Sequence, residues 1–300
     1  MSEKSVYHSG FAALIGRPNV GKSTLLNALV GQKVAIMSNR PQTTRNRIRG
    51  VLTTDEVQIV FIDTPGIHEP KHQLGQYMVL AAESTLNEVD LVLFVCDATE
   101  PNHPGDKAIL ERLKKTKTPA FLIINKVDAV PKTAVLTMID KMNQQHLFKE
   151  IIPVSAKDGT QLEELKHLIA GALPEGPKYY PDDMVTDHPE QFVIAEFVRE
   201  KVLRLTREEV PHSVMVDIEQ LEYRSNGVVY ANAVIYCERE SQKGILIGKR
   251  GDVLRRVGQL ARQDLEALFG SKVYLDLWVK VKKDWRNQQG LLHKFGFDDM

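Results

Sequence analysis

Apolar runs and amphipathic stretches alternate along the first part of the chain. Runs at Phe11–Ile15, Arg49–Leu52, Val57–Ile62, Leu91–Val95, Ala120–Ile124 and Ile151–Val154 predict strands. Between them, apolar residues spaced three or four apart predict helices over Thr24–Leu29, Gln76–Asn87, Gly105–Lys115, Thr133–Gln145 and Leu162–Ala172. The strands are continuously apolar rather than alternating, which predicts an α/β unit with a mostly parallel sheet covered on both faces. Pro174, Pro177, Pro181 and Pro189 then mark a linker. Beyond it the pattern changes. A helix carrying Phe192, Ala195, Val198, Val202 and Leu205 precedes a hairpin that pairs Val214–Tyr223 with Val228–Arg239 across Ser225-Asn226-Gly227. A short helix, Ser241–Ile247, leads to a longer one with a stripe of Leu254, Val257, Ala261, Leu265 and Leu268. The strand Tyr274–Lys282 alternates cleanly, and a final helix is predicted over Asp284–Lys294. The domains expected are 1–175, a linker 176–190, and an α+β unit 191–300.

Composition adds little to this picture until charge is divided along the chain. With 300 residues, 43% hydrophobic and 26% charged, both units have enough apolar side chains for a core. The formal net charge is zero. Yet Asp182–Glu240 holds 13 acidic and 6 basic side chains, a balance of −7, whereas Gly248–Lys294 holds 11 basic and 5 acidic, a balance of +6. A local anion-binding face is therefore expected near the C-terminus. The two cysteines, Cys96 and Cys237, lie far apart in apolar runs and read as reduced and structural. No apolar run reaches the 18 or so residues of a membrane span, and the first residues lack the apolar core of a secretory signal. The expected location is the cytoplasm.

The chemistry sits at strand ends. Gly16-Arg17-Pro18-Asn19-Val20-Gly21-Lys22-Ser23 follows the first strand and opens the first helix, the context a phosphate-binding loop requires. Glycines let backbone N–H groups turn toward phosphate oxygens, and the helix N-terminus adds a favourable dipole. Lys22 then reaches the β- and γ-phosphates, while Ser23 is a Mg²⁺ ligand. Asp63-Thr64-Pro65-Gly66-Ile67 ends another strand. Asp63 is placed to support the metal, largely through water, and the Gly66 N–H to meet the γ-phosphate. Thr43 or Thr44, in the long polar loop Gly31–Gly50, would complete the metal shell; the sequence leaves both open. Asn125-Lys126-Val127-Asp128 selects the base, because a carboxylate accepts from both N1–H and the exocyclic amine of guanine. Ser155-Ala156-Lys157 offers the Ala156 N–H to the guanine oxygen. All these motifs follow strands, so an open parallel sheet brings them to one carboxyl edge. His68 and His72 are spaced like metal ligands, but Pro70 opposes a helix there and no third ligand joins them.

In the second unit, Gly248-Lys249-Arg250-Gly251 joins two helices with both intervening residues basic. Such a turn lets a sugar–phosphate backbone approach closely, as KH domains do with four nucleotides. Arg255, Arg256 and Arg262 add phosphate-binding charge on the following helix. Trp278 and Trp285 are candidates for base stacking, with core packing as the competing reading.

The motifs GRPNVGKS, PQTTR, DTPG, NKVD and SAK resemble the translation-factor-related GTPases, and the helix–strand–strand–helix–helix–strand order around the GxxG turn resembles a type II KH domain. One GTPase domain followed by one KH domain resembles the Era-like GTPase family over essentially the whole chain. The resemblance implies a P-loop GTPase that cycles between GTP and GDP with Mg²⁺, binds the 3′ end of 16S rRNA and assists maturation of the 30S subunit. It also implies peripheral membrane contact; a monomer is expected. One departure from Ras-type GTPases matters: they carry a water-orienting glutamine after the DxxG glycine, and here that residue is Ile67. Slow intrinsic hydrolysis is expected, helped by a monovalent cation or by a bound partner, with Asn19 the candidate ligand for a K⁺ ion. Two other readings compete: an RNA-binding assembly protein with a structural nucleotide site, and a nucleotide kinase using the same loop.

Overall fold

The computed structural model describes residues 6–38, 40, 42–67 and 72–297. Its first unit is a six-stranded sheet of β1 (His8–Ile15), β2 (Ile48–Thr53), β3 (Val57–Asp63), β4 (Leu91–Asp97), β5 (Ala120–Asn125) and β6 (Glu150–Pro153), in the order β2-β3-β1-β4-β5-β6. Every residue of β3, β4 and β5 is buried, which explains why their sequences are apolar apart from Gln58 and the polar residue that ends each strand. Only β2 runs antiparallel, against β3. Helices α1 (Lys22–Val30) and α5 (Leu162–Ala172) cover one face. Helices α2 (Gln73–Glu88), α3 (Pro104–Leu113) and α4 (Lys132–Asn143) cover the other.

The proline-rich segment after α5 is firmly docked rather than loose. The buried Gln58 side chain accepts from the Tyr179 and Tyr180 N–H groups at 2.6 and 3.0 Å and donates to the Tyr180 carbonyl at 2.9 Å. Arg49 pairs with Asp187 at 2.7 Å. These bonds route the chain along the β2–β3 edge and so fix where the second unit begins.

That unit consists of α6 (Glu190–Leu205), β7 (Met215–Tyr223), β8 (Val229–Cys237), α7 (Glu240–Ile247), α8 (Asp252–Phe269), β9 (Val273–Val281) and α9 (Gln289–Lys294). Its sheet order is β7-β8-β9, antiparallel then parallel. Helices α6 and α8 pack their apolar stripes on one sheet face through Val198, Val202, Val257 and Ala261. The single helix expected over Asp284–Lys294 is instead a tight turn, Trp285–Asn287, followed by α9. Asp284 has φ 52°, in the left-handed region, and Trp285 is wholly buried. Seating that indole in the interior breaks the helix.

The two units share two seams. In one, Ile36 packs among Val193, Ile194 and Phe197. In the other, Leu74 and Met78 of α2 pack with Tyr236, Trp285, Phe295 and Phe297. Beside the first seam, Lys33 Nζ lies 2.6 Å from Glu200 and 2.7 Å from Asp264, Lys201 bonds both carboxylates, and Glu200 accepts from the Met37 N–H at 2.9 Å. Burial pushes the Asp264 carboxyl up, but hydrogen bonds from Lys201 and Lys33, together with their charges, outweigh it and hold the group below its usual value. A carboxylate depressed in the folded state contributes stability above its unfolded pKa, about 3.9, and loses it as pH falls through the folded value. Because Asp264 is partly exposed, its expected contribution is only roughly 1 kcal/mol. Chemical denaturation at a series of pH values should show Asp264→Asn less stable at pH 7, with the difference from wild type shrinking as pH falls below the usual carboxylate value of about 3.9.

Candidate functional site

The loop between β1 and α1 wraps around its own lysine. Gly21 has φ 98°, and a Cβ there would lie 2.3 Å from Asn125 Nδ2, so only glycine fits both the turn and the neighbouring loop. Lys22 is buried, with Nζ donating to the Gly16 and Arg17 carbonyls at 3.0 and 3.1 Å. Burial pushes its ammonium down, partly offset by Asp63. A polyphosphate in the loop would restore the charged form. Arg17 turns away instead, its guanidinium 2.6 Å from Glu100 and 3.3 Å from Asp106. Val20 faces the core, and its carbonyl accepts from Asn125 Nδ2 at 2.8 Å.

Ser23, Thr44 and Asp63 meet. Ser23 Oγ donates to Asp63 Oδ2 at 2.6 Å, Thr44 Oγ1 donates to the same oxygen at 3.1 Å, and the two hydroxyls are 3.0 Å apart. Asp63 Oδ1 is buried without a hydrogen-bond partner, and burial raises the Asp63 pKa. An orphaned carboxylate oxygen beside two hydroxyls is a hard-oxygen donor set that suits Mg²⁺. The choice the sequence left open is thereby narrowed. Thr43 turns its hydroxyl into its own loop, donating to the Arg40 carbonyl at 2.6 Å, while Thr44 presents its hydroxyl to the cluster.

Other expected residues have local duties. Thr64 Oγ1 donates to the Leu14 carbonyl at 2.8 Å, and Pro65 is buried beside it. The Ile67 side chain packs with Ile15 and Ile62, and its N–H donates to the Gly16 carbonyl at 3.3 Å. It thus has no means of orienting water. Gly66 is held against Pro18, where a Cβ would come within 2.7 Å of the Pro18 nitrogen. Pro18, Asn19, Lys22, Ser23, Thr44 and Gly66 all line one open cavity of about 850 Å³.

At the base-binding end, Lys126 sits in the left-handed region at φ 64° and sends Nζ to the Asn19 carbonyl at 2.8 Å and to Asp97 at 2.6 Å. Burial pushes the Asp97 carboxyl up, but Lys126 and Thr99 hold it below its usual value. Ser155 Oγ donates to Asp128 Oδ1 at 2.7 Å, fixing that carboxylate, and Val127 N–H bonds the Val154 carbonyl. The Ala156 N–H donates to Asn125 Oδ1 at 3.0 Å, which ties this loop to the Asn125 side chain. Lys157 is exposed at the rim.

The GxxG turn stands away from this cavity. Gly248 has φ 74°, with a would-be Cβ 2.2 Å from Asp252, and Lys249 and Arg250 project into solvent with Gly251 closing the turn. Arg255, Arg256 and Arg262 are exposed on α8. Trp285 is core, whereas Trp278 is exposed. Of the histidine pair, His68 lies outside the described residues and His72 approaches Arg286 at 3.4 Å. Among the described residues, no cluster of three His, Cys, Asp or Glu forms a metal site.

No local pattern in the chain points to the role of Arg45. Its guanidinium is buried in the second unit, donating to the Val214 and His212 carbonyls at 2.6 and 3.1 Å and lying 5.7 Å from the Trp285 ring centre. Arg199 likewise reaches the Thr43 carbonyl. These partners are over 150 residues away, beyond any spacing rule.

The cluster geometry generates a test. Thr44→Ala should weaken Mg²⁺-dependent GTP hydrolysis at least about tenfold, whereas Thr43→Ala should stay within about twofold, read by phosphate release across a Mg²⁺ titration. Equal losses would remove the distinction.

Comparison with known proteins agrees with this geometry. A family model described as 50S ribosome-binding GTPase matches residues 11–126, and a KH domain model matches residues 209–286. The chain is 56% identical over 291 residues to GTPase Era of Heliobacterium modesticaldum, covering 97% of each. A crystal structure of a single-residue variant of Aquifex aeolicus Era bound to GDP·AlF4⁻ superposes with a TM-score of 0.94 at 44% identity, over 97% of this chain and 100% of that one. So does a crystal structure of Era with MgGDPNP and nucleotides 1506–1542 of 16S ribosomal RNA, with a TM-score of 0.94 and 44% identity over 98% and 100% of the two chains. The chain belongs to the Era family of GTPases: an enzyme that hydrolyses GTP to GDP and phosphate with Mg²⁺, built as a GTPase domain followed by a KH domain.

Proposed function

We infer that this GTPase is a switch whose nucleotide state governs engagement of single-stranded RNA at the Gly248–Gly251 turn. The RNA is the 3′ end of 16S rRNA, and the setting is assembly of the 30S subunit. The relative crystallised with 16S nucleotides supports the ligand, and the exposed Lys249, Arg250, Arg255 and Arg256 supply the phosphate-binding charge. The protein acts as a cytoplasmic monomer; peripheral membrane contact rests on family resemblance alone. Among the described residues no helix is long and apolar enough to cross a membrane.

One observation carries the switching part. Thr44 and Arg45 are adjacent, yet Thr44 bonds Asp63 in the nucleotide site while Arg45 bonds carbonyls of the KH unit. Moving one moves the other. A loop ordered by the γ-phosphate and Mg²⁺ therefore has a direct mechanical path to the RNA-binding unit. RNA shifts the nucleotide equilibrium only as far as it binds the two states unequally.

Two outcomes are expected. Lys249→Asp combined with Arg250→Asp should abolish RNA binding while leaving GTP affinity intact; loss of both would indicate misfolding. In wild type, RNA affinity should differ about 5- to 150-fold between GTP-analogue and GDP forms, and Arg45→Ala should collapse that ratio. Equal wild-type affinities would remove the switch reading.

With Ile67 packed in the core, water positioning must come from elsewhere. Asn19, exposed at φ 67° on the cavity wall, is the ligand we assign to a monovalent cation. Turnover should be faster in potassium than in sodium buffer, and Asn19→Ala should erase the difference; identical rates for wild type would exclude the cation.

A further inference from the structure

In the GTPase domain, a cavity of about 210 Å³ opens between α3 and α4, apart from the nucleotide cavity. Its floor is Phe94 and Cys96 of β4, both buried, and its walls include Leu110, Met138 and Met142. Thioethers beside a phenyl ring make a soft, polarisable lining that suits an aromatic guest. An apolar cavity of about 150 Å³ holds a benzene, so this one has room for a single ring and a short substituent. One group in the lining lacks a partner. Asp106, in the first turn of α3, is 5% exposed and lines the cavity, yet its Oδ1 has no hydrogen-bond partner. Arg17 Nε lies 3.3 Å from each carboxylate oxygen, but its hydrogen bond goes to Oδ2. Burial pushes the carboxyl up, and the Arg17 charge only partly offsets it. Arg17 also pairs with Glu100 at 2.6 Å, so one guanidinium serves two carboxylates. An orphaned acceptor at an under-compensated acidic end calls for an N–H donor that brings positive charge. At the mouth the sign reverses, with Lys107 and Lys141 exposed there. A second cation on the guest would meet those lysines, which disfavours a polyamine.

We propose that this cavity is a regulatory site for a small aromatic monoamine, its ring held among Phe94, Met138 and Met142 and its ammonium donating to Asp106 Oδ1. Two contacts join the site to the nucleotide cavity. The Arg17 carbonyl accepts from the P-loop Lys22 Nζ at 3.1 Å. Cys96 is followed directly by Asp97, which holds Lys126 of the base-selecting motif at 2.6 Å. An ammonium on Asp106 competes with Arg17 for that carboxylate and loosens the residue whose own carbonyl holds Lys22. Amine and nucleotide therefore alter each other's affinity by the same factor.

Phenethylamine is the probe, titrated into full-length protein whose methionine methyl groups are followed by NMR. Of the eight methionines, Met138 and Met142 should shift, because the ring current of the guest acts only at close range. Phenylacetate, of similar size and opposite charge, should leave both in place. Asp106→Asn should weaken phenethylamine about 10- to 100-fold. Met142→Trp fills the mouth and leaves Asp106 intact; it should abolish binding while GTP affinity without the amine stays at the wild-type value. Saturating phenethylamine should change the GDP affinity of wild type at least about fivefold and that of Met142→Trp not at all. Shifts that are the same for both probes, or that persist in Met142→Trp, would mean an adventitious additive only and overturn the site. Binding confined to the cavity with GDP affinity unchanged would overturn its regulatory role.

Discussion

A single buried carboxylate organises this molecule. Asp63 sits at the end of β3 with no solvent, and burial alone would force it to keep its proton. Ser23 and Thr44 satisfy one oxygen, and the other is directed to where a Mg²⁺ ion or its water would lie. Lys22, equally buried, has the opposite need. The two charges are costly in the interior unless a metal and a polyphosphate share them, so the fold is arranged to bind MgGTP rather than to be comfortable without it. The Thr44 bond ties the chain between α1 and β2 to this group.

The loop's other attachments lie in the KH unit. Arg45 buries its guanidinium among backbone carbonyls, Met37 donates to Glu200, and Lys33 bridges Glu200 and Asp264. Asp264 belongs to α8, the helix that starts at the GxxG turn. One loop therefore joins the nucleotide site, through Thr44, to the KH unit, through Lys33, Met37 and Arg45.

Ile67 shows how a missing group is informative. Its aliphatic chain is a core residue, held beside the P-loop through its N–H to Gly16. The backbone thus keeps Gly66 in place while the side chain contributes nothing to the attacking water. Catalysis must then draw on something the side chain at this position does not supply.

Strand, helix and motif positions were legible in the sequence because each depends on local periodicity or on a fixed spacing. The apolar runs of β3, β4 and β5 announce a doubly covered sheet, and GRPNVGKS, DTPG and NKVD fall at strand ends where parallel topology must gather them. Even the guanine preference follows from the chemistry of one carboxylate, Asp128. Three-dimensional contact decided the rest. The choice between Thr43 and Thr44 turned on which hydroxyl faces Asp63, and the Ala156 amide is tied to the Asn125 side chain. The break before α9 came from burying Trp285, and the fate of the two tryptophans depended on which half of a sheet face the C-terminal segment covers. Such outcomes depend on partners far apart in sequence, with Arg45 reaching Val214 across 169 positions. A local pattern records what a residue is suited to; only the folded chain determines which suitable partner it meets.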